Sequence, residues 1–187
     1  MSSIMENPFL IGKKIYLRAA QENDAEIISV SENHPEARAS LYYAIPTNIE
    51  EHIDRIKQRQ KDHSTIYFTI CKKENNKSIG STAFFRIDWV GRMAIFYLAI
   101  AEKENRNKGF GKETTQLMID YAFATLNLNR IQLHVSVENL SAISVYENAG
   151  FIKEGTLRHA MYFDDHYIDF YVMGILKSDW KKNKNKN

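Results

Sequence analysis

The stretch Asn139-Leu140-Ser141-Ala142-Ile143-Ser144-Val145-Tyr146-Glu147-Asn148-Ala149-Gly150-Phe151 follows a run in which Ile131, Leu133, Val135 and Val137 alternate with polar residues. Such alternation predicts a half-buried strand. The stretch itself predicts a short helix over Ser141–Asn148, stopped by Gly150, a residue suited to the left-handed conformation that ends helices. Upstream, Arg106-Asn107-Lys108-Gly109-Phe110-Gly111 lies between a strand over Met93–Ala101 and a helix over Gly111–Leu126, where Leu117, Tyr121 and Ala124 recur at helical spacing. Two glycines in a tight turn leave successive backbone N–H groups pointing outward, and a helix N-terminus adds the positive end of its dipole. With Arg106 and Lys108 beside it, the element reads as an anion cradle. It matches neither of two common phosphate loops. The Walker spacing is absent, and Thr114 stands where a dinucleotide fingerprint needs its third glycine.

Working outward, Lys14–Arg18 predicts an opening strand, and Asn23-Asp24 caps a first helix to about Asn33, broken by His34-Pro35. Thr47-Asn48-Ile49-Glu50 fits a capping box, and Ile49, Ile53 and Ile56 carry a second helix to about Lys61. Ile66, Phe68 and Ile70 alternate in a strand, and the polar turn Glu74-Asn75-Asn76-Lys77 leads into another over Ile79–Ile87. Phe151–Leu176 predicts two strands joined near Asp164-Asp165. This order argues for an α/β sheet with helices on both sides rather than strict alternation. With no internal repeat and no Gly/Ser/Pro linker, residues 1–180 are expected to form one domain and 181–187 a basic, disordered tail.

Of the 187 residues, 44% are hydrophobic and 26% charged, proportions that exclude wholesale disorder. A single cysteine, Cys71, excludes an internal disulfide framework and a cysteine-based zinc cluster, and no metal site is expected. No apolar run approaches the ~18 residues of a membrane span. Met1–Leu10 lacks the basic-then-apolar order of a signal peptide, so a cytoplasmic protein is expected. The net charge of +2 comes from the end of the chain, since residues 181–187 hold four lysines and no acid. A nucleic-acid partner needs a basic face on the folded body, and none is expected. From Glu22 to Arg55, eight acidic residues stand against Arg38 and Arg55.

Together the two motifs resemble the GCN5-related N-acetyltransferase (GNAT) family. Its Arg/Gln-x-x-Gly-x-Gly/Ala pattern is met by Arg106, Gly109 and Gly111. Its Asn-x-x-Ala-x-x-x-Tyr-x-x-x-Gly-Phe pattern is met by Asn139, Ala142, Tyr146, Gly150 and Phe151. The similarity runs from about Ile15 to Trp180. Tyr121-Ala122-Phe123, Leu126-Asn127-Leu128, Glu154-Gly155-x-x-Arg158, Tyr167-x-Asp169 and Met173-Gly174-Ile175-Leu176 are similar to the branch of ribosomal-protein N-terminal acetyltransferases and spermidine N-acetyltransferases.

The resemblance implies a GNAT-like mixed, mostly antiparallel sheet with a central splayed parallel strand pair. Here that pair is Met93–Ala101 beside Arg130–Val137, and the pantetheine of acetyl-CoA inserts between them. Cosubstrate contacts are implied for Ile100, Arg106, Asn107, Lys108, Gly109, Phe110, Gly111, Lys112 and Asn139. A primary amine attacks the thioester directly, the amine being a polyamine or other small amine, or a protein N-terminus. Tyr146 holds the position of the acid that protonates the departing thiolate. In the family, exposed sheet edges often pair copies into dimers.

Many relatives carry a glutamate base on the strand before the glycine loop. Ile95 stands there, and Met93–Ala101 contains no acid. That leaves a water chain ending at Glu138, His134 or Tyr97, and it leaves a catalytically idle acyl-CoA-binding regulatory module as the alternative. The acidic segment from Glu22 to Arg55 is expected to border the acceptor entrance, where it attracts a polycation.

Overall fold

In the computed structural model, which describes residues 5–38 and 43–184, the chain begins β1 (Leu10–Ile11), β2 (Ile15–Ala19), α1 (Ala25–Asn33), α2 (Pro35–Arg38) and α3 (Ile49–Lys61). It continues β3 (Ile66–Lys72), β4 (Ser78–Asp88), β5 (Met93–Ile100), α4 (Phe110–Asp120), β6 (Arg130–Ser136) and α5 (Leu140–Asn148). It closes with β7 (Ile152–Phe163), β8 (His166–Leu176) and α6 (Lys177–Lys184). The strands form one sheet in the order β1-β2-β3-β4-β5-β6-β8-β7. Every neighbouring pair is antiparallel except β5–β6. After β6 the chain crosses by α5 to the sheet edge, lays down β7, and returns with β8 in the inner position. Asp164 and Asp165, both with positive φ, make the tight β7–β8 turn that short polar side chains tolerate.

Strand alternation divides the sheet into two faces. One packs Ile15, Leu17, Phe68, Ile70, Phe84, Ala94, Phe96, Ile131 and Leu133 against Phe110, Met118, Ile119 and Phe123 of α4 and its π-helical continuation, Tyr121–Thr125, and against Tyr146 of α5. The other carries the smaller cluster of Ala20, Ala25, Ile28 and Ile56, with Tyr67 against it, under α1 and α3. Helices thus cover both faces, as expected.

Local chemistry departs from expectation at two helix caps. Asp24 does not cap α1 with its side chain. Its carboxylate is buried, takes two bonds from the Arg18 guanidinium at 2.7 and 2.9 Å and one from Thr69 Oγ1 at 2.8 Å, and so ties β2, β3 and the start of α1 together. The break expected at His34-Pro35 falls there: α1 ends at Asn33 with His34 extended, and Pro35 then opens the helical turn α2, where proline's missing N–H is not needed. At α3 the cap is Asn48, whose side chain accepts from Glu51 N at 2.9 Å. Thr47 is freed from capping, and its Oγ1 meets His52 Nε2 at 2.9 Å.

The disordered tail expected from Lys181 is a helix as far as Lys184, with Asn185, Lys186 and Asn187 outside the described residues. Trp180 anchors it. The indole packs 5.7 Å from the Phe123 ring and its Nε1 donates to Asp120 Oδ1 at 2.7 Å, while Lys184 reaches the same oxygen at 3.3 Å.

Asp24→Ala strands the Arg18 guanidinium, whose side chain is 4% exposed. Loss of one partner from such a pair costs about 3–5 kcal/mol, to be read as a fall in unfolding free energy in urea. Arg18→Met/Asp24→Leu should cost much less, because no buried charge remains unpaired. Equal costs for the two proteins would show that pairing is not what Asp24 supplies.

Candidate active site

The β5–β6 ladder consists of Met93↔Arg130, Ala94↔Ile131 and Ile95↔Gln132, although β5 continues to Ile100 and β6 to Ser136. Beyond Ile95 each strand is held by its outer neighbour: β5 by β4, out to Gly80↔Ile100, and β6 by β8, out to Ser136↔Phe170. Ala101 N donates to Ile79 O at 2.9 Å and Val137 N to Asp169 O at 3.0 Å. Those two bonds set the alternation. The main-chain groups of Phe96, Leu98 and Ile100 on β5, and of His134 and Ser136 on β6, therefore point into the gap. Unpaired strand amides are a template for an extended, amide-bearing chain. Ile100 stands at the mouth of this slot.

The glycine turn expected to cradle an anion lies at that mouth. Gly109, at φ +86°, is the N-cap of α4 and offers no side chain to its amides. The first intrahelical bond is Glu113 N to Gly109 O at 3.0 Å, so the N–H groups of Phe110, Gly111 and Lys112 have no helical acceptor. Arg106 lines an adjoining cavity of about 610 Å³ together with Lys103, Lys77 and His34. Lys108 and Lys112 are exposed, and Phe110 is buried in the core. Asn107, also at positive φ, accepts from Ser141 Oγ at 3.4 Å, which links the loop to the start of α5. Asn139 caps α5 by accepting from Ala142 N at 3.1 Å. Its Nδ2 donor makes no hydrogen bond among the described residues.

Tyr146 is on the α4/α5 face, with its ring 6.1 Å edge-on to Phe96 and 5.8 Å from Phe151. Phe96 is the first β5 residue past the end of the ladder, so the phenol stands beside the opening of the slot. Burial pushes its pKa well up. The hydroxyl remains protonated throughout the neutral range and has no hydrogen-bond partner among the described residues.

Of the base candidates, Glu138 is exposed, with the His166 imidazole 3.7 Å away. His134 faces solvent on β6, and partial desolvation of its ring, with the nearby Arg86 charge, holds its pKa down. Tyr97 is different. It sits two residues past the last ladder position, on the α1/α3 face, with its hydroxyl 2.9 Å from that of Tyr43.

The acidic rim is smaller than its composition suggests. Asp24 is consumed by Arg18, and Glu32 is buried on α1, with Arg55 Nη1 at 3.2 Å and His52 Nε2 at 3.6 Å. Glu22 pairs with Lys57 and Glu51 with Arg55. The exposed carboxylates without an ion-pair partner there are Glu26, Glu50 and Asp54 among the described residues; the Glu36 side chain lies outside them. The sequence reading missed the Glu32 cluster, although a signal existed. Glu32 continues the buried stripe Ala25, Ile28, Ser29 of α1, and an acid on an inward stripe requires a buried partner.

A sheet opened at one parallel pair, with an uncapped helix N-terminus at the mouth and a desolvated tyrosine beside it, defines an acyl-CoA-dependent acyltransferase. The acetyltransferase (GNAT) domain profile matches residues 14–152, and the chain belongs to this family. It is an acetyl-CoA-dependent N-acetyltransferase, with acetyl-CoA as cosubstrate. A spermidine N(1)-acetyltransferase of Vibrio cholerae is 29% identical over 170 residues, covering 91% of this chain and 97% of that protein. A crystal structure of spermidine N-acetyltransferase from Vibrio cholerae in complex with CoA and spermine matches with a TM-score of 0.83 at 28% identity, covering 90% of this chain and 98% of the other. A further structure of spermidine N-acetyltransferase from Vibrio cholerae is described as dodecameric, with a TM-score of 0.77 at 29% identity and coverage of 89% and 96%.

His52 allows a check on the buried cluster. Burial, then the Arg55 and Arg59 charges, lower its pKa below the usual 6.5. The unfolded chain therefore takes up a proton that the folded chain resists, and the stability His52 contributes is lost as pH falls through that range. Its imidazole resonances should titrate below those of a free histidine. His52→Gln should flatten the dependence of stability on pH between about 7 and 5. An unchanged slope would mean that His52 is solvated in the fold.

Proposed function

We propose that the chain acetylates a primary amine of a polyamine, holding acetyl-CoA in the β5–β6 gap. The interrupted ladder carries this reading, because it presents unpaired strand amides beside the uncapped start of α4. Pantetheine amides meet the main chain of Phe96, Leu98 and Ile100. The pyrophosphate meets the amides of Phe110, Gly111 and Lys112, with Arg106 and Lys108 adding charge and the free Asn139 donor facing the arm. The amine lone pair attacks the thioester carbonyl, forming a C–N bond. The tetrahedral intermediate collapses, the C–S bond breaks, and Tyr146 protonates the departing thiolate while the new amide nitrogen loses one proton. Tyr146 in this position favours an enzyme over an idle binding module.

The acceptor reading draws on the relative that binds spermine and on the exposed acids of α1 and α3, Glu26, Glu50 and Asp54. A cavity of about 520 Å³ between Arg38, Tyr43 and Ala44 on one side and Met161, Tyr162 and Phe163 on the other is the entrance for it. The dodecameric relative, with Ile152 and Leu157 exposed on the edge strand β7, supports a homo-oligomer. The lone thiol Cys71 suits a reducing cytoplasm.

Acetyl-CoA should raise the melting temperature, since a ligand bound only by the folded state stabilises it by mass action. A Cβ at Gly111 meets only Leu98 Cδ2, at 3.7 Å, so Gly111→Val should fold and yet lose the shift. A full shift in that variant would remove the α4 start from the site.

Tyr146→Phe keeps the ring packing and loses the proton. It should lower kcat by about 10²-fold or more with the acetyl-CoA shift intact, and a rate within twofold of the parent returns Tyr146 to packing. Across polyamines, amino sugars and peptides, spermine or spermidine should show the highest kcat/KM, declining as salt shortens the Debye length from about 10 Å at 0.1 M. Turnover of peptide N-termini with polyamines untouched would replace the acceptor.

A further inference from the structure

On the α1/α3 side of the sheet, a row of side chains joins the slot to a buried acid. Tyr97, on β5 just past the ladder's end, has its hydroxyl 2.9 Å from that of Tyr43. The Tyr43 hydroxyl in turn stands near the Glu32 carboxylate, close enough for each to shift the other's protonation. Glu32 is 7% exposed and faces Arg55, His52 and Arg59 from α3, Tyr43 from the preceding loop, and Tyr67 and Tyr97 from the sheet. The void between Glu32, Tyr97, Ile27 and Ser81 is about 10 Å³, at the limit for one water. The cluster is therefore packed, and its polar path runs through hydroxyl groups.

We infer that Tyr97, Tyr43 and Glu32 form the proton relay of this enzyme, with Glu32 as the final acceptor of the proton lost by the attacking amine. This rests on the reading of the β5–β6 gap as the reaction site. The step balances as a shuttle. The amine N–H proton passes to the Tyr97 oxygen, the Tyr97 proton to the Tyr43 oxygen, and the Tyr43 proton to a Glu32 oxygen, which becomes neutral. Neither phenol ends the step charged. Burial, opposed by Arg55, raises the carboxyl of Glu32 above its usual range, which makes it a better proton acceptor than a surface glutamate. Arg55 is partly exposed on its other side, which gives the released charge an outlet.

The geometry also separates the two proton transfers. Tyr146 gives its proton from the α4/α5 face, next to Phe96. Tyr97, the following residue, takes one from the opposite face, because neighbouring strand residues point to opposite sides. The absence of an acid on β5 is thereby answered. The carboxylate comes from α1, reached across two tyrosines, and the strand itself supplies only the first of them.

The test is the pH dependence of acceptor kcat/KM at saturating acetyl-CoA in the parent, Tyr97→Phe, Tyr43→Phe and Glu32→Gln. It uses whichever amine the parent acetylates fastest, so an error in the acceptor assignment shows in the parent and leaves this readout intact. A relay lets the enzyme use the protonated amine, so the parent profile is level from about pH 7 to 9. Without it only free amine reacts. Each variant should then lie about 10²-fold below the parent at pH 7 and rise about tenfold per pH unit, closing on it near pH 9. Tyr97→Phe/Glu32→Gln should be no worse than either single change, because groups acting as one unit are not additive. The thermal shift by acetyl-CoA should be retained in all of them, which reports folding independently of turnover. A profile displaced by one constant factor at every pH would make the cluster structural and overturn the relay, as would parent-like rates in Tyr97→Phe. A parent inactive with every amine would overturn the relay and the proposed function together.

Discussion

The end of hydrogen bonding between β5 and β6 at Ile95↔Gln132 is the constraint on which the rest of the structure depends. Two adjacent strands in one sheet ordinarily stay paired, because an unpaired buried amide loses about 1–3 kcal/mol. Here each strand is secured on its far side, β5 by β4 and β6 by β8, so the sheet survives a wedge opened along its middle. Both strands run out at the wide end of that wedge, and each is followed by a helix whose N-terminus points back toward it. The Asn107–Ser141 contact links those two starts. A slot lined by main-chain groups is thus the consequence of a single missing ladder, and the uncapped start of α4 lies at its mouth.

The faces on either side of the wedge have opposite chemistry. On the α4/α5 face the phenyl rings of Phe96 and Phe151 surround Tyr146, and desolvation keeps that phenol neutral. On the α1/α3 face charges are buried in pairs: Arg18 with Asp24, and Glu32 with Arg55 beside His52. Buried ion pairs are weak stabilisers, and hydrophobic substitutes of similar volume often do as well. The Arg18–Asp24 pair lies away from the slot and joins three elements. The Glu32 cluster lies along it, which is where buried polarity has a chemical use.

Much of this was legible in the residues. The alternation of Ile131, Leu133, Val135 and Val137, the helical spacing after Gly111 and the polar turn at Glu74–Lys77 each mark an element that the structure contains. The glycines of Arg106–Gly111 marked a tight turn before a helix, and Gly109 and Gly150 both take positive φ. Less legible were features set by partners remote in sequence. Asp24 read as a cap and Lys181–Lys184 as a tail, yet Arg18 with Thr69 and Phe123 with Asp120 changed both. The rim counted from Glu22 to Arg55 lost Asp24 and Glu32 to the interior for the same reason: a charge count does not know which face of a helix turns inward.

By itself the sequence determined which segments are strands and helices, where the glycine turn before α4 falls, and which tyrosine stands in the second motif. These follow from local period, capping and the conformational freedom of glycine, all of which act within a few residues. Only the tertiary structure decided that β8 lies inside β7, that the β5–β6 ladder stops after Ile95, and that Glu32, Tyr43 and Tyr97 meet. Strand order and ladder length depend on which neighbour holds each strand from the other side. The three polar residues come from a helix, a loop and a strand, so their contact exists only once α1 has been laid across the sheet.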